Sequence, residues 1–372
     1  MARRVAIACY ELVPGRSGGT ETYARSLADA ISVEPAVHCT VAVSPLGRGA
    51  LANGRVDELV LPAKPTAVQR LRRGLGLGPD FETTVAEQID RHGFDVVHFP
   101  QSAIFPHGVR APKVLSMMDI QHEYLPQFFS ADEVEARRRV YRASLEEADR
   151  VIAISAFTKR TLVERYAVPT EKIAVVPLAY DPGLLDGEVG SIARPYLFYP
   201  AASLPHKNHV RLLEAFSRVA LRHPDLRLVL SGMQERMTPE LEASVARLGL
   251  IDRVLFLGYV PRDQLGAFYR DALALVYPSL FEGFGLPLVE AMATGTPVAA
   301  SNVEAVAEVA GDAAILFDPE DVDSLEASIE RLIGSADLQA ELIERGRVRA
   351  AEFSPERLAQ RTLAVYETVA LR

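Results

Sequence analysis

The sequence predicts an α/β protein made of two doubly wound parallel sheets. Three observations carry this. Short, nearly continuous apolar runs alternate with amphipathic segments, as strands covered on both faces by helices require. The 372 residues are about two to three times an ordinary domain. Between 177 and 195, Pro177, Pro182, Gly183, Gly187, Gly190 and Pro195 break all periodicity, after which the same architecture restarts.

In the first half the apolar runs predict strands at Val5–Cys9, His38–Val43, Asp95–Phe99, Lys113–Met118, Arg150–Ile154 and Ile173–Val176. One helix opens after Gly19, with Tyr23, Leu27, Ala30 and Ile31 on one face. Another follows Pro79, with Val85 and Ile89 inward and Gly93 near its end. The second half predicts strands at Tyr196–Pro200, Arg227–Leu230, Val254–Leu257, Leu273–Tyr277, Pro297–Ala300 and Ala314–Phe317. Ser354 and Pro355 then read as an N-cap and a first-turn proline, opening a last helix with Leu358, Leu363, Tyr366 and Val369. Doubly wound sheets bind ligands at the carboxyl ends of their strands, and two facing sheets make a cleft for two substrates.

Composition narrows the function. Forty basic against forty-nine acidic residues give a formal charge of −9, which disfavours nucleic acid as a partner. By count, residues 1–185 hold 22 basic and 22 acidic side chains, so the remaining 18 and 27 carry the whole excess. An anionic ligand in the second half therefore needs local donors. Cys9 and Cys39 lie in apolar runs without metal or disulfide spacing, and the apolar stretch after Arg3 and Arg4 is too short for a signal segment, so a cytoplasmic protein is expected.

The densest constellation runs from Tyr277 to Met292: a strand end, then Glu282-Gly283-Phe284-Gly285-Leu286-Pro287, then a helix bearing Glu290. The glycines permit a tight turn and close backbone approach, and the N–H groups of a helix start suit a diphosphate. Read singly, Glu282 is equally an N-cap and Glu290 a solvated helical residue. A second strand-to-helix turn holds Pro205-His206-Lys207-Asn208-His209. Lys207 is one of only five lysines in the chain and suits a phosphate, the alternative being a surface lysine. A third turn holds Gly18 and Gly19 but lacks the G-x-G-x-x-G of dinucleotide binding.

Glu282-Gly283-Phe284-Gly285-Leu286-Pro287 with Glu290 resembles the E-x7-E signature of retaining glycosyltransferases of family 4, whose fold is GT-B, two Rossmann-like domains facing a cleft. Gly18-Gly19, Val151–Ser155 with Thr158 and Lys159, Lys207-Asn208, Gly295-Thr296-Pro297-Val298 and the 314–319 segment resemble further strings of that family. The resemblance covers essentially the whole chain. It implies an acceptor-side domain of residues 1–185 with a returning helix 354–372, and a nucleotide-sugar-binding domain of 186–353. It implies that Glu290 binds the ribose hydroxyls, that Glu282 and the amides of Phe284, Gly285 and Leu286 hold the sugar, and that Lys207 neutralises the diphosphate. Transfer of a hexose or deoxyhexose with retention of configuration is then expected, without a metal or other cofactor. The nucleoside diphosphate sugar is a substrate. The acceptor would be a carbohydrate, a glycosylated natural product or a lipid-linked glycan.

Two departures stand out. Many members have an arginine where this chain has Ala201, leaving Lys207, backbone amides and Ser203 to meet the diphosphate. Many also have a His-Asp pair where this chain has Met118-Asp119. His122 reads as a substitute or as an exposed loop histidine, and His98 as a cleft residue or a core one. A thioether at Met118 is a weak acceptor with no proton to donate, which points to a 6-deoxyhexose donor, with mannose or glucose as the alternative. Asp321-x-Asp323 is read as a helix cap. Arg70, Arg72 and Arg73 with Val68 and Leu71, and Arg137–Arg139, are read as solvated faces or as contacts to anionic lipid at the inner face of the membrane. A catalytically weakened nucleotide-sugar-binding protein and a GT-B-shaped nucleotide-sugar epimerase are the competing functions.

Overall fold

The computed structural model describes residues 2–15, 18–65, 80–186, 192–235 and 237–370. It divides into two compact units, Met1–Ala179 with Pro355–Arg372, and Tyr180–Ser354.

The first unit is a seven-stranded, all-parallel sheet of β1 (Arg3–Cys9), β2 (Val37–Val43), β3 (Asp57–Val60), β4 (Val96–Phe99), β5 (Lys113–Met117), β6 (Arg150–Ala153) and β7 (Ile173–Val175). Their order is β3-β2-β1-β4-β5-β6-β7. Its helices are α1 (Gly18–Ser32), α2 (Phe81–Asp90), the single turn α3 (Gln121–Tyr124), α4 (Ala131–Glu147) and α5 (Ala156–Tyr166), joined by the C-terminal helix Pro355–Ala370. The four residues of β4 are all buried, as a strand covered on both faces must be. A buried chain of hydrogen bonds ties the C-terminal helix into this unit. Tyr366 OH meets His98 Nδ1 at 2.7 Å, His98 Nε2 meets Ser116 Oγ at 2.7 Å, and Ser116 Oγ meets Tyr23 OH at 2.8 Å.

The second unit is a six-stranded parallel sheet of β8 (Tyr196–Pro200), β9 (Arg227–Ser231), β10 (Val254–Phe256), β11 (Ala274–Tyr277), β12 (Val298–Ser301) and β13 (Ile315–Phe317), in the order β10-β9-β8-β11-β12-β13. Around it lie α6 (His209–Arg222), α7 (Thr238–Arg247), α8 (Arg262–Asp271), α9 (Leu286–Thr294), α10 (Glu304–Ala310), α11 (Val322–Gly334) and α12 (Ala336–Ala350). In both sheets the chain runs outward from a central strand and then returns to that strand's other side. The order therefore reverses between β1 and β4 and between β8 and β11. Side chains on the turns after two such strands are brought together by topology alone.

The structure corrects several expectations. The sequence reading missed β3, because Asp57-Glu58-Leu59-Val60 is a four-residue edge strand whose acidic residues stay exposed. Strand β5 stops at Met117, so Met118 begins the following loop. The segment 180–185, expected in the first unit, packs on the second: the amide of Tyr180 donates to Phe353 O at 3.2 Å, and Arg270 Nη1 donates to Leu184 O at 2.8 Å. Gly187, Gly190 and the basic segment with Val68, Arg70, Leu71, Arg72 and Arg73 lie outside the described residues. Arg138 of the other basic run makes a two-pronged pair with Glu123 at 2.9 and 2.8 Å, while Arg137 lies over the Phe129 ring at 4.9 Å. Asp321 accepts from the Asp323 amide at 2.9 Å, the N-cap that the sequence reading assigned to it.

Gly266 on α8 lies against the 180–185 segment so closely that a Cβ there would sit 1.8 Å from the Leu184 carbonyl oxygen. Both groups are backbone, so no side-chain rotation relieves the clash. Gly266→Ala should therefore destabilise the second unit by about 2–4 kcal/mol. A melting scan of this variant should show a transition lowered by roughly 5–15 °C; an unchanged transition would mean that the segment is not held there.

Candidate active site

The sequence-predicted residues of the second unit converge at the reversal between β8 and β11. The turn after β8 carries Lys207 and the turn after β11 carries Glu282. Lys207 Nζ lies 2.6 Å from Glu282 Oε1, with side-chain exposures of only 17% and 13%. The two turns are also tied by backbone. The Leu280 amide donates to His206 O at 2.8 Å, and Asn208 Nδ2 donates to Pro278 O at 3.0 Å and to Pro319 O at 2.7 Å. Asn208 can do this because it has φ of +60°, a left-handed conformation that asparagine tolerates better than most residues. Beneath them, Tyr199 OH donates to Lys207 O at 2.8 Å and lies 3.1 Å from Ser279 Oγ. Tyr277, whose ring centroid is 5.8 Å from Lys207 Nζ, completes the floor.

Burial disfavours the charged form of Glu282, but Lys207, His206 and the Ser279 hydroxyl outweigh it and hold the carboxyl below its ordinary value. Glu282 is thus ionised at neutral pH. Glu282 is not the N-cap of α9. That position is Gly285, with φ of +114° and no side-chain cap. The Phe284 side chain is buried edge-on against Phe353 at 5.4 Å, so what the turn can offer a ligand is its backbone. At the start of α9 Pro287 has no N–H and the Leu288 amide donates to Gly285 O at 3.0 Å, and the positive end of the helix dipole faces the turn.

Glu290 lies one turn into α9 and is 4% exposed, not a solvated helical residue. Its Oε2 accepts from Tyr269 OH at 2.7 Å, and its Oε1 lies 3.7 Å from Arg262 Nη2. Arg262 Nε in turn donates to Asp181 at 3.2 Å. Burial raises the Glu290 pKa, with Arg262 and the tyrosine hydroxyl opposing that rise. The sequence reading missed Tyr269 and Arg262. They are seven residues apart on α8, two helical turns that put both on one face, but no motif marks them.

Other expected contacts have different partners. Ser203 Oγ accepts from the Glu235 amide at 2.6 Å and lies 2.6 Å from Thr238 Oγ1, so this hydroxyl organises the loop before α7, and Ser203 also lines the pocket beside that loop. At Ala201, the Gly232 backbone packs so tightly that a Cβ on Gly232 would stand 2.6 Å from the Ala201 carbonyl. A small, open pocket lies beside these turns, lined by Ala201, Ser203, Ser231, Gly232, Gln234 and Gly258 at the carboxyl ends of β8, β9 and β10.

In the first unit, Gly18 has φ of +51° and begins α1 with Gly19; among the described residues, nothing beyond the adjoining chain and the helix's own backbone lies within 4 Å of a Cβ built on either. Met118 and Asp119 occupy the loop after β5, where Asp119 accepts from the Gln121 amide at 2.9 Å. His98 is a core residue, not a cleft residue: both ring nitrogens are engaged within the buried chain. His122 is fully buried rather than an exposed loop residue, because Tyr141 packs on its ring at 5.2 Å and Tyr166 OH meets Nε2 at 2.9 Å. Lys159 donates to Ile173 O at 2.8 Å, a structural use.

Known proteins match this arrangement. The family model "Glycosyltransferase Family 4" matches residues 17–184, and "Glycosyl transferases group 1" matches residues 191–349. The chain is a glycosyltransferase with the GT-B fold. That fold is shared with sucrose-phosphate synthase of Thermosynechococcus elongatus, at a TM-score of 0.78 with 20% identity over 98% of both chains. It is also shared with HepE of Anabaena, solved with UDP and glucose, at a TM-score of 0.78 with 19% identity over 98% of this chain and all of that one (100%). Among curated relatives, this glycosyltransferase is 29% identical to O-antigen chain mannosyltransferase B of Escherichia coli over 73% of its length and 74% of the relative's. It is 35% identical to the MMP alpha-(1->4)-mannosyltransferase of Mycolicibacterium hassiacum over 64% of its length, spanning 58% of that relative. Among its described residues, no helix is long and apolar enough to cross a membrane.

Four histidines of the glycosyltransferase are held neutral by burial. The pKa is pushed down to about 3 in His98 and His209 and to about 4 in His122 and His206, where neighbouring cations add to the effect for the last three. Unfolding releases them to their ordinary value near 6.5, so from about pH 6.5 down to about 4 the unfolded chain binds more protons and stability falls with pH. Chemical-denaturation midpoints measured across pH 4–8 should be level above pH 7 and drop below 6.5. A midpoint constant to pH 5 would show that these rings are accessible to protons in the fold.

Proposed function

We propose that the chain transfers a hexose, with mannose the leading candidate, from a nucleoside diphosphate sugar to a carbohydrate acceptor, with retention of anomeric configuration and without a metal ion. The observation that carries this reading is the Lys207–Glu282 pair at the strand reversal, with the carboxylate of Glu290 one turn further along α9.

The chemistry follows from these positions. As the anomeric bond breaks, the leaving diphosphate gains charge, and donors fixed in place beforehand stabilise that gain most. An ammonium has three N–H donors, and Glu282 takes one of Lys207's. The others can meet phosphate oxygens, together with the N–H groups at the start of α9. In an acidic unit these local donors are what an anion requires. Glu282, drawn toward Lys207, borders the reacting sugar, and Glu290 takes the ribose hydroxyls. The pocket at the ends of β8–β10 is assigned to the nucleobase. With Ser203 engaged in its loop, Lys207 and the amides carry the diphosphate.

Retention is supported by the resemblance of the E-x7-E spacing to that of retaining glycosyltransferases. The mannose assignment rests on the names of relatives such as O-antigen chain mannosyltransferase B. A panel of GDP- and UDP-sugars, each with and without candidate glycan acceptors, tests it. Preference for a 6-deoxyhexose would instead give Met118 the role its thioether implies. Nucleotide release without an acceptor, or epimerised donor, would favour the epimerase reading. NMR of the product linkage reads retention directly.

Lys207→Ala should lower kcat by about a hundredfold or more, the cost of losing a major donor to the transition state. Glu290→Ala should chiefly raise the donor KM, since ribose contacts persist from ground to transition state, whereas Glu282→Ala should chiefly lower kcat. Steady-state kinetics showing the opposite split would exchange the two roles. Turnover in EDTA should match that in magnesium or manganese; loss in chelator with recovery on adding metal would overturn the metal-free reading.

A further inference from the structure

Glu290 is the acidic group most in need of help in this site, because its carboxyl is almost wholly buried and carries the job of meeting two hydroxyls. The groups that face it are Arg262 and Tyr269 of α8 and Asp181 of the segment that precedes the second sheet. Tyr269 fixes one oxygen through a 2.7 Å hydrogen bond, and is itself fully buried, with its ring edge-on to Phe198 at 5.2 Å and its carbonyl accepting from Thr296 Oγ1 at 2.7 Å. That oxygen therefore has a rigid support. The other faces a guanidinium at 3.7 Å, which contributes charge while still leaving the oxygen room to accept from a ligand. Arg262 is kept at that distance by Asp181, which receives its Nε at 3.2 Å.

We propose that Arg262 is a positioning residue for the nucleoside half of the donor: held back by Asp181, it supplies the positive charge against which Glu290 meets the ribose hydroxyls. The inference rests on the ribose role of Glu290 and adds to it a residue that no motif of the sequence marks. A guanidinium bonded directly to Glu290 would occupy the lone pairs the ribose needs; one absent altogether would leave a buried carboxyl in low dielectric, where the neutral form is favoured. Burial already raises the Glu290 pKa, and Arg262 is the largest influence against that rise. The ionised form is the stronger acceptor for the hydroxyls of a ribose, and it carries no proton that competes with them. Without Arg262, nucleotide binding must therefore become pH-dependent, strengthening as pH rises and the carboxyl ionises.

Isothermal titration with GDP and with UDP at pH 6.0, 7.0 and 8.5 tests this on the full chain. Because the terminal phosphate of a nucleoside diphosphate itself titrates near pH ~6, each variant is read as its affinity relative to the wild type at the same pH. Arg262→Met should bind about tenfold or more weakly at pH 6.0 and recover most of that by pH 8.5, and Arg262→Lys should restore much of the affinity at pH 7.0. Glu290→Gln should bind weakly at every pH. Asp181→Asn, which weakens the hold on the arginine and lets it close on Glu290, should bind about three- to tenfold more weakly, to a similar extent at each pH. If Glu290→Gln weakens binding while Arg262→Met matches the wild type at each pH, the inference fails and the ribose role stands. If Glu290→Gln binds as the wild type does, the ribose role itself fails. Should Arg262→Met not fold, the same decision falls to Asp181→Asn: affinity equal to the wild type at every pH would mean that the position of the arginine does not matter to the site, and would overturn the proposal.

Discussion

Lys207 and Glu282 are 75 residues apart in sequence, and they meet because β8 and β11 become neighbours where the strand order of the second sheet reverses. Much of the site follows from this one adjacency. It sets a cation and an anion in contact at the carboxyl end of the sheet and puts the start of α9 beside them. The pair also solves an electrostatic problem. The second half of the chain carries the whole acidic excess, so an anion cannot rely on the long-range field; it needs a cation held at short range by structure.

The supports of that pair are largely backbone. Asn208 in a left-handed conformation bonds two carbonyls from different loops, the Leu280 amide closes the gap to His206, and Tyr199 braces the Lys207 carbonyl from below. Long flexible side chains lose rotamer entropy when held in one geometry. Here the turns are fixed first, and the lysine has a short reach to its partner. Burial then strengthens the interaction by thinning the water around it.

A second network, from Asp181 through Arg262 to Glu290, is built on one face of α8. It is packed against the 180–185 segment, where Gly266 allows backbone to touch backbone and Arg270 binds two successive carbonyls. The surroundings of Glu290 are therefore tied to the segment by which the chain enters the second unit. In the first unit the buried residues that carry polar groups, His98, Ser116, Tyr23 and Tyr366, satisfy one another and serve to hold the C-terminal helix.

The sequence by itself determined the class of fold, because fully buried parallel strands must be written as apolar runs and their crossovers as amphipathic helices. It also marked both turns of the second unit, since glycines at a tight turn, a proline in a first helical turn and a rare lysine are local features that survive in one dimension. Edge strand β3 escaped it, being short and half polar. So did the fate of single polar residues. His98 read equally well as cleft or core, His122 as a substitute site histidine or an exposed loop one, and Ser203 as a donor contact, until tertiary structure supplied Tyr366, Tyr166 and the Glu235 amide as their partners. Arg262 and Tyr269 lay in an unremarkable helix. Their importance comes from an acid 28 and 21 residues later in the chain, and only packing decides which of many charged residues faces it.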